Sequence, residues 1–280
     1  MTLRMARTTA IALAAAAFVS STAPAQDALP PPPPPPLQAA AAIPPARLDQ
    51  LLAPIALYPD PLIGQILMAA TYPLEVVEAD RWLQDPNNAA LKGDQLIAAL
   101  EQQSWDPSVK SLVPFPQVLH MMDSNLDWTE RLGEAFIANQ VTVMDAVQRL
   151  RQRAEAAGRL RSSPEEMVGA EGQAITIEPP NSGTVYVPVY DPSIVYGPWP
   201  YPDYPPYYFP DFFDGVVIGA LGFGWLGVGI VAPFWGWDQW DWGGHRIVID
   251  RARWGRLDGG RPPVLGAGGG WEHDPFHRGG

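Results

Sequence analysis

Residues Leu51–Asp94 read LLAPIALYPDPLIGQILMAATYPLEVVEADRWLQDPNNAALKGD, a pattern that indicates short helices separated by prolines. Apolar residues recur in this stretch at helical spacing, and the prolines stand between the apolar runs. An aspartate followed by a proline provides an acceptor for the helix N-cap and a residue suited to the first turn. Asp60-Pro61 and Asp85-Pro86 therefore predict the starts of two helices.

The same pattern extends in both directions, from Arg47 to about Arg161. Asp106-Pro107 repeats the capping pair, and apolar stripes at helical spacing continue to Leu150. Five to seven short helices packed around one core are expected over residues 47–161.

Beyond Gly172 the apolar residues recur at every second position. Three valines at positions 185, 187 and 189 alternate with Tyr186, Pro188 and Tyr190, which is typical of a strand with valines on one face. Pro188 has no N–H to donate, so its strand should lie at a sheet edge. Helices followed by strands predict an α+β fold.

Composition divides the chain into seven segments along this α+β plan. The expected order is a signal peptide (1–25), a Pro/Ala-rich linker (26–46), the helical domain (47–161), a strand unit (162–200), a Pro/Tyr tract (201–214), a Gly/Trp-rich apolar segment (215–242) and an Arg/Gly-rich, largely disordered tail (243–280).

The first residues predict export. Arg4 and Arg7 form a basic start, an alanine-rich apolar run follows, and small residues at 23–25 fit a signal-peptidase site. We expect cleavage after Ala25, a mature chain that begins at Gln26, and a location in the periplasm or cell envelope.

Charge is distributed unevenly along the chain. The net charge is −12, and removal of two arginines with the signal peptide makes it −14. Residues 162–244 contain ten acids and no lysine or arginine. Such a chain disfavours nucleic acid as a partner. There is no cysteine, so disulfides and thiolate sites are excluded.

The last predicted helix ends in a basic cluster. Cations there favour the helix dipole, and their default location is a solvated face. Contact with lipid headgroups or with the acidic segment that follows is the functional alternative. The arginines concerned are Arg149, Arg151, Arg153, Arg159 and Arg161.

Three strings resemble a known family: Leu51–Asp94, WDPSVKSLVPFPQVLHMM from Trp105, and VYVPVYDPSIVYG from Val185. They resemble the bacterial DUF3300 family of exported envelope proteins of unknown function, over roughly residues 47–208. The resemblance implies secretion, a helical N-terminal part and a Gly- and aromatic-rich C-terminal part, and it brings no catalytic residues. Asp80 is a departure, because a small residue is expected there.

Two short motifs are interpreted as chance matches. Residues 222–227 spell GxGxxG, but Pro233 and the Trp235–Trp237 run stand where a dinucleotide site needs a helix. His273 and His277 are four residues apart, yet Asp274-Pro275 between them disfavours the helix that would aim both at one metal. No cofactor, no nucleotide and no metal site is predicted.

Glu75 and Glu78 are the weak catalytic candidates. They share a helix surface with Trp82, and a carboxylate beside tryptophan is one way in which glycosidases raise the pKa of an acid. Alternatively, Glu78 pairs with Arg81 and Trp82 packs into the core. The catalytic alternative for the whole chain is an envelope hydrolase that uses carboxylates of the helical domain.

Residues 215–237 are uncharged and long enough to span a bilayer, and Gly215 and Gly219 have the spacing of a helix-packing face. A membrane-anchored accessory subunit of an envelope complex is therefore one alternative function. Seven glycines and Pro233 argue against a spanning helix.

An exposed aromatic set among prolines suggests the favoured function. Rigid aromatic side chains stack on sugars or pack on partner proteins at little entropic cost. We expect a non-enzymatic envelope binding or scaffolding protein whose partner is a protein or a polysaccharide. The alternative is that these residues cover the helical domain as an extended strap. The set comprises Tyr186, Tyr190, Tyr196, Trp199, Tyr201 and Tyr204.

Overall fold

The computed structural model describes residues 43–277 apart from Asp214 and Leu221. Contacts group Ala42–Gly280 into one compact unit. The expected signal peptide and all but the last few residues of the expected linker lie outside the described residues.

Nine helices form the first part of this unit. They are α1 (Pro45–Leu52), α2 (Asp60–Ala69), α3 (Pro73–Leu83), α4 (Pro86–Ala89), α5 (Gly93–Glu101), α6 (Pro107–Leu112), α7 (Pro116–Ser124), α8 (Leu126–Ala138) and α9 (Gln140–Ala156). Six of them have a proline in the first turn, where the missing N–H costs no hydrogen bond.

Two of the three Asp-Pro predictions are confirmed. Asp85 caps α4 by accepting a hydrogen bond of 2.9 Å from the backbone N–H of Asn87, and Asp106 caps α6 through the N–H of Ser108 at 2.8 Å. The third is confirmed only in part: α2 begins at Asp60, but the Asp60 side chain makes no cap bond. It accepts instead from Arg151.

Helix α2 lies at the centre of the core, and nine of its ten residues are buried. It contacts α3, α6 and α8 as well as two strands. A Cβ at Gly64 would lie 2.6 Å from Asp238 Oδ2, so this glycine permits the close approach of a strand to the helix.

Three separate two-stranded antiparallel ribbons complete the α+β fold, and this fold class is confirmed. The pairs are β1 (Met167–Glu171) with β2 (Ala174–Glu178), β3 (Thr184–Tyr190) with β4 (Phe223–Gly229), and β5 (Asp238–Asp241) with β6 (Arg246–Ile249). The three valines of β3 are buried, as their alternation predicts.

Short elements connect and follow the ribbons. A four-residue helix, α10 (Pro192–Val195), follows β3, and α11 (Arg251–Leu257) follows β6. The Pro/Tyr tract of residues 201–214 contains one 3₁₀ turn at Pro210–Phe212 among its described residues, and further 3₁₀ turns lie at Ala232–Phe234 and Ala267–Gly269.

The expectation of a largely disordered tail is wrong for the described residues. Trp271 is buried and stacks on Phe136 at 5.6 Å between ring centroids, and Trp254 of α11 is also buried. Asp250 caps α11. The tail glycines that suggested low complexity include Gly259 and Gly268, which adopt positive φ in turns that a folded chain requires.

The spanning helix considered for residues 215–237 does not form, because Phe223–Gly229 is a strand and Ala232–Phe234 is a 3₁₀ turn. Among the described residues, no single helix has the length and apolar character needed to cross a membrane. The two helices Asp60–Ala69 and Pro73–Gln84 meet these criteria only when they are taken together, and the chain bends by 109° between them.

Candidate functional site

Two members of the predicted aromatic set are interior residues, so the exposed set is wrong for them. Tyr190 and Tyr196 are buried, and their hydroxyls donate to the carbonyl oxygen of Ala53 at 3.0 and 2.8 Å. The backbone N–H of Leu57 donates to the Tyr190 hydroxyl at 3.2 Å. The phenols therefore satisfy backbone groups that the end of α1 leaves without intrahelical partners.

The other four members, Tyr186, Trp199, Tyr201 and Tyr204, are partly buried. Trp199 Nε1 donates to the carbonyl of Tyr204 at 2.9 Å, and the Trp199 ring lies 6.0 Å from that of Tyr201. Tyr186 lies apart from them on β3, opposite Gly227. The structure thus brings three of the six together in one loop, and ring contacts continue from Trp199 to the buried Tyr196 and Tyr190.

The chain from 196 to 209 packs along the helices, in agreement with the strap alternative. Gln50 Nε2 donates to the carbonyl of Pro205 at 2.7 Å, and Arg153 Nη2 donates to that of Pro198. The Arg153 guanidinium also lies over the Trp199 ring, 5.6 Å from its centroid. Arg153, one arginine of the predicted basic cluster, is therefore engaged in holding this segment.

The catalytic candidates Glu75 and Glu78 hold neighbouring elements together. Glu75 is buried and accepts from the backbone N–H of Asp106 at 2.7 Å, and Glu78 accepts from Trp105 Nε1 at 3.1 Å. Glu78 is therefore not paired with Arg81. Each carboxylate is committed to a structural hydrogen bond.

The rings of both C-terminal histidines pack on the Tyr72 ring, and each histidine has a different polar partner. His277 Nε2 lies 3.2 Å from Glu75 Oε1, and this contact raises the pKa of His277. His273 lies against Thr71 and the Tyr72 ring. Among the described residues, one group of three side chains has donor atoms close enough together to bind a metal ion. The three residues are Asp80, His120 and Asp123.

One cavity is an open groove of about 680 Å³ between the α8–α9 junction and the tail. Two of its charged residues already have partners: His245 Nε2 lies 3.1 Å from Asp145, and Arg246 pairs with Asp241 at 2.6 Å. Among the described residues, Arg246 Nε has no hydrogen-bond partner and Glu272 forms no ion pair, so the groove keeps some unsatisfied polar groups.

A smaller cavity of about 290 Å³, here called the Glu166 pocket, has a different character. It lies where the chain leaves α9, enters β1 and meets the start of β4. Its lining residues are Arg159, Arg161, Ser163, Glu165, Glu166, Gly219, Ala220, Phe223 and Trp225.

Glu166 is the central residue of this pocket. Glu166 is only 2 % exposed, and its Oε2 atom has no hydrogen-bond partner among the described residues. Burial raises the pKa of this carboxyl to about 8; neighbouring Glu165 adds to the rise and Arg151 opposes it. Glu166 is therefore largely protonated near neutral pH, and its carboxyl can both donate and accept a hydrogen bond.

Two arginines and two aromatic residues line the same pocket. Neither Arg159 nor Arg161 has an ion-pair partner in the part of the chain that the structure describes. Phe223 and Trp225 lie on the same face of β4, and their rings are stacked at 5.7 Å with an interplanar angle of 13°. The pocket thus combines positive charge, a flat apolar wall and a neutral buried acid.

Sequence reasoning found these residues but gave them other roles. Arg159 and Arg161 belong to the predicted basic cluster, and Phe223 and Trp225 lie in the segment considered for a membrane helix. The period-two spacing of Phe223 and Trp225 was a usable signal. No sequence pattern indicates the Glu166 pocket itself, because it combines Glu166 with residues of β4 more than fifty positions later.

The family comparison agrees with the resemblance seen in the sequence. Residues 44–260 match the model of a family described as "Protein of unknown function (DUF3300)". "Uncharacterized protein YacH" of Escherichia coli (strain K12) is 39% identical over 234 residues, which cover 70% of this chain and 37% of that protein. The chain thus spans well under half the length of this curated relative. No solved structure matches the chain.

Proposed function

The chain belongs to the DUF3300 family, and we propose that it is a non-enzymatic binding module of the cell envelope that holds an acidic saccharide in the Glu166 pocket. The observation that carries this proposal is the buried Glu166 Oε2, which has no hydrogen-bond partner among the described residues and belongs to a pocket also lined by two arginines without ion-pair partners there. A buried polar atom without a hydrogen bond costs about 1–3 kcal/mol, which a ligand hydroxyl at this position would recover.

Each wall of the pocket matches one part of a uronic-acid unit. The planar guanidinium groups of Arg159 and Arg161 suit a carboxylate, which arginine binds through paired hydrogen bonds. The stacked Phe223 and Trp225 rings provide an apolar surface for the C–H face of a sugar ring. A volume of about 290 Å³ suits one ring of a longer saccharide.

Binding is favoured over hydrolysis because the two acids that line this pocket among the described residues, Glu165 and Glu166, are consecutive in the sequence and do not come from two facing elements. Glycoside hydrolysis requires two carboxyl groups on opposite sides of the scissile bond. Glu165, the other acid of the pocket, accepts a hydrogen bond of 2.8 Å from the Ser163 hydroxyl. Glu75 and Glu78 of the helical domain are committed to Asp106 and Trp105.

The envelope location in this proposal rests on the N-terminal sequence pattern, a basic start followed by an apolar run and small residues. Mass spectrometry of the mature chain from intact cells should find Gln26 at the N-terminus. A chain that retains Met1 or Thr2 would contradict the location.

Calorimetry with the mature chain tests the proposed ligand. The probes are trigalacturonic acid and its fully methyl-esterified form, which has the same rings without the charges. We expect saturable binding of the acid and binding of the ester weaker by about tenfold or more.

Two arginine variants provide the control. Arg159→Ala with Arg161→Ala should weaken binding of the acid to the level of the ester. Arg131→Ala, which removes a surface arginine paired with Asp127 on α8, should leave it unchanged. Equal binding of acid and ester, or equal losses in both variants, would contradict the proposal.

A further inference from the structure

A second polar cluster lies between α3 and α7, with no residue in common with the Glu166 pocket. It consists of Asp80 on α3 and of His120 and Asp123 on α7. One donor atom from each residue lies within 4.8 Å of the other two, and His120 Nδ1 is 3.1 Å from Asp80 Oδ2.

The packing of the two helices creates this arrangement. Helices α3 and α7 make one of the most extensive helix–helix contacts of the chain. Positions three apart on a helix share a face, so His120 and Asp123 both face Asp80. Because Asp80 and His120 are forty residues apart, spacing in the sequence gives no signal of the cluster.

The charges of the cluster are not balanced by the protein. Asp80 is only 4 % exposed, and neither Asp80 nor Asp123 pairs with a lysine or arginine within the described ranges. The donor atoms of Asp80 and Asp123 lie within 4.8 Å of each other, and two carboxylates this close repel each other unless a positive charge lies between them.

We propose that Asp80, His120 and Asp123 bind one divalent transition-metal ion, for which Zn²⁺ is the best match. Ligands about 2.0–2.2 Å from Zn²⁺ lie roughly 3–3.6 Å from each other, and the His120–Asp80 distance of 3.1 Å fits. An imidazole ligand favours Zn²⁺ over Mg²⁺ and Ca²⁺, which prefer oxygen alone.

Neighbouring side chains support the same site. Gln84 Nε2 donates to Asp80 Oδ2 at 3.1 Å and holds that carboxylate in place, as residues around metal ligands commonly do. The His120 side chain is 54 % exposed, so the cluster is open to solvent on that side. Three protein ligands and an open side leave one position of a tetrahedral ion for water.

Titration calorimetry of the chelator-treated mature chain, prepared without a histidine tag, tests the site with Zn²⁺ alone. We expect one ion per chain. His120→Gln and Asp123→Asn each should weaken binding at least about tenfold. Both positions reach the surface, so these variants should fold, and thermal melting in chelator checks this.

His245→Gln is the matched control. His245 lies 3.1 Å from Asp145, the same His–Asp distance, but none of the described residues adds a third ligand there. This variant and His273→Gln should bind Zn²⁺ like the original chain, and Zn²⁺ should raise their melting temperature but not that of His120→Gln. Unchanged affinity in His120→Gln, loss in His273→Gln, or no stoichiometric binding at all would overturn the proposal.

Discussion

At the residue scale, the ion pair between Arg151 and Asp60 shows how burial overrides a local pattern. Arg151 is 0 % exposed and donates to Asp60 Oδ1 at 2.6 Å and to the carbonyls of Ala56, Tyr58 and Ile175. The basic cluster suggested a solvated face for this residue. A buried guanidinium requires a buried counter-charge, so Asp60 becomes its partner rather than a helix cap.

Replacing Arg151 with methionine should therefore destabilise the protein strongly. Asp60 would remain buried without its counter-charge, and the expected loss in the free energy of unfolding is about 3–5 kcal/mol. Urea denaturation measures it. Arg131→Ala, which removes the partner of Asp127 at the surface, should cost less than about 1 kcal/mol. Similar losses for both variants would refute this role of Arg151.

The protonation of Glu166 predicts a pH dependence of stability. Its pKa is about 8 in the folded chain and near 4.5 when exposed. As pH rises, the unfolded state therefore loses its proton first, and the folded state is progressively destabilised between about pH 4.5 and 8. Glu166→Gln removes this effect, so the variant should gain stability relative to the original chain from pH 5 to 8.

Melting temperatures across that range test this expectation. Glu165→Gln is the matched control, because the neighbouring carboxylate is held by Ser163 and its substitution should not produce the trend. A constant difference between Glu166→Gln and the original chain would show that Glu166 is ionised in the fold.

At the element scale, local chemistry predicts where elements begin but not what covers them. Asp85 and Asp106 mark real helix starts because capping depends on adjacent residues alone. The alternation in β3 likewise places its valines correctly. The burial of Tyr190 was not predictable, because it depends on a free carbonyl at the end of α1, more than a hundred residues earlier.

The contribution of a single helix cap to stability can be measured. Asp85→Ala should lower the free energy of unfolding by about 1 kcal/mol, since the N–H of Asn87 loses its acceptor. Chemical denaturation measures this loss. Asp94→Ala changes an aspartate that lies inside the first turn of α5 and makes no cap bond, so it should cost less. A larger loss for Asp94→Ala would contradict the capping role.

At the scale of the whole molecule, the C-terminal region completes the core. The family match ends at residue 260, yet Trp271 beyond it is buried against Phe136 of α8. Glycine-rich composition suggested disorder because it measures local preference, whereas the aromatic residues between the glycines have partners far away in the sequence. The residues of the Glu166 pocket escaped assignment as a site for the same reason.

Trp271→Ala should cost about 3 kcal/mol or more, the usual result of removing a buried tryptophan. Phe276→Ala, in the same region but 83 % exposed, should have little effect. Thermal and urea unfolding of the two variants would give equal stabilities if the tail did not pack on the core.

The location of ligand binding tests the central claim most directly. In nitrogen-15 NMR spectra, the indole N–H signal of Trp225 is assigned with Trp225→Phe, and that of Trp271, which lines the larger groove, with Trp271→Phe. On addition of trigalacturonic acid, the Trp225 signal should shift in a saturable way while the Trp271 signal stays in place. A saturable shift of Trp271 with an unmoved Trp225 would contradict the Glu166 pocket as the binding site.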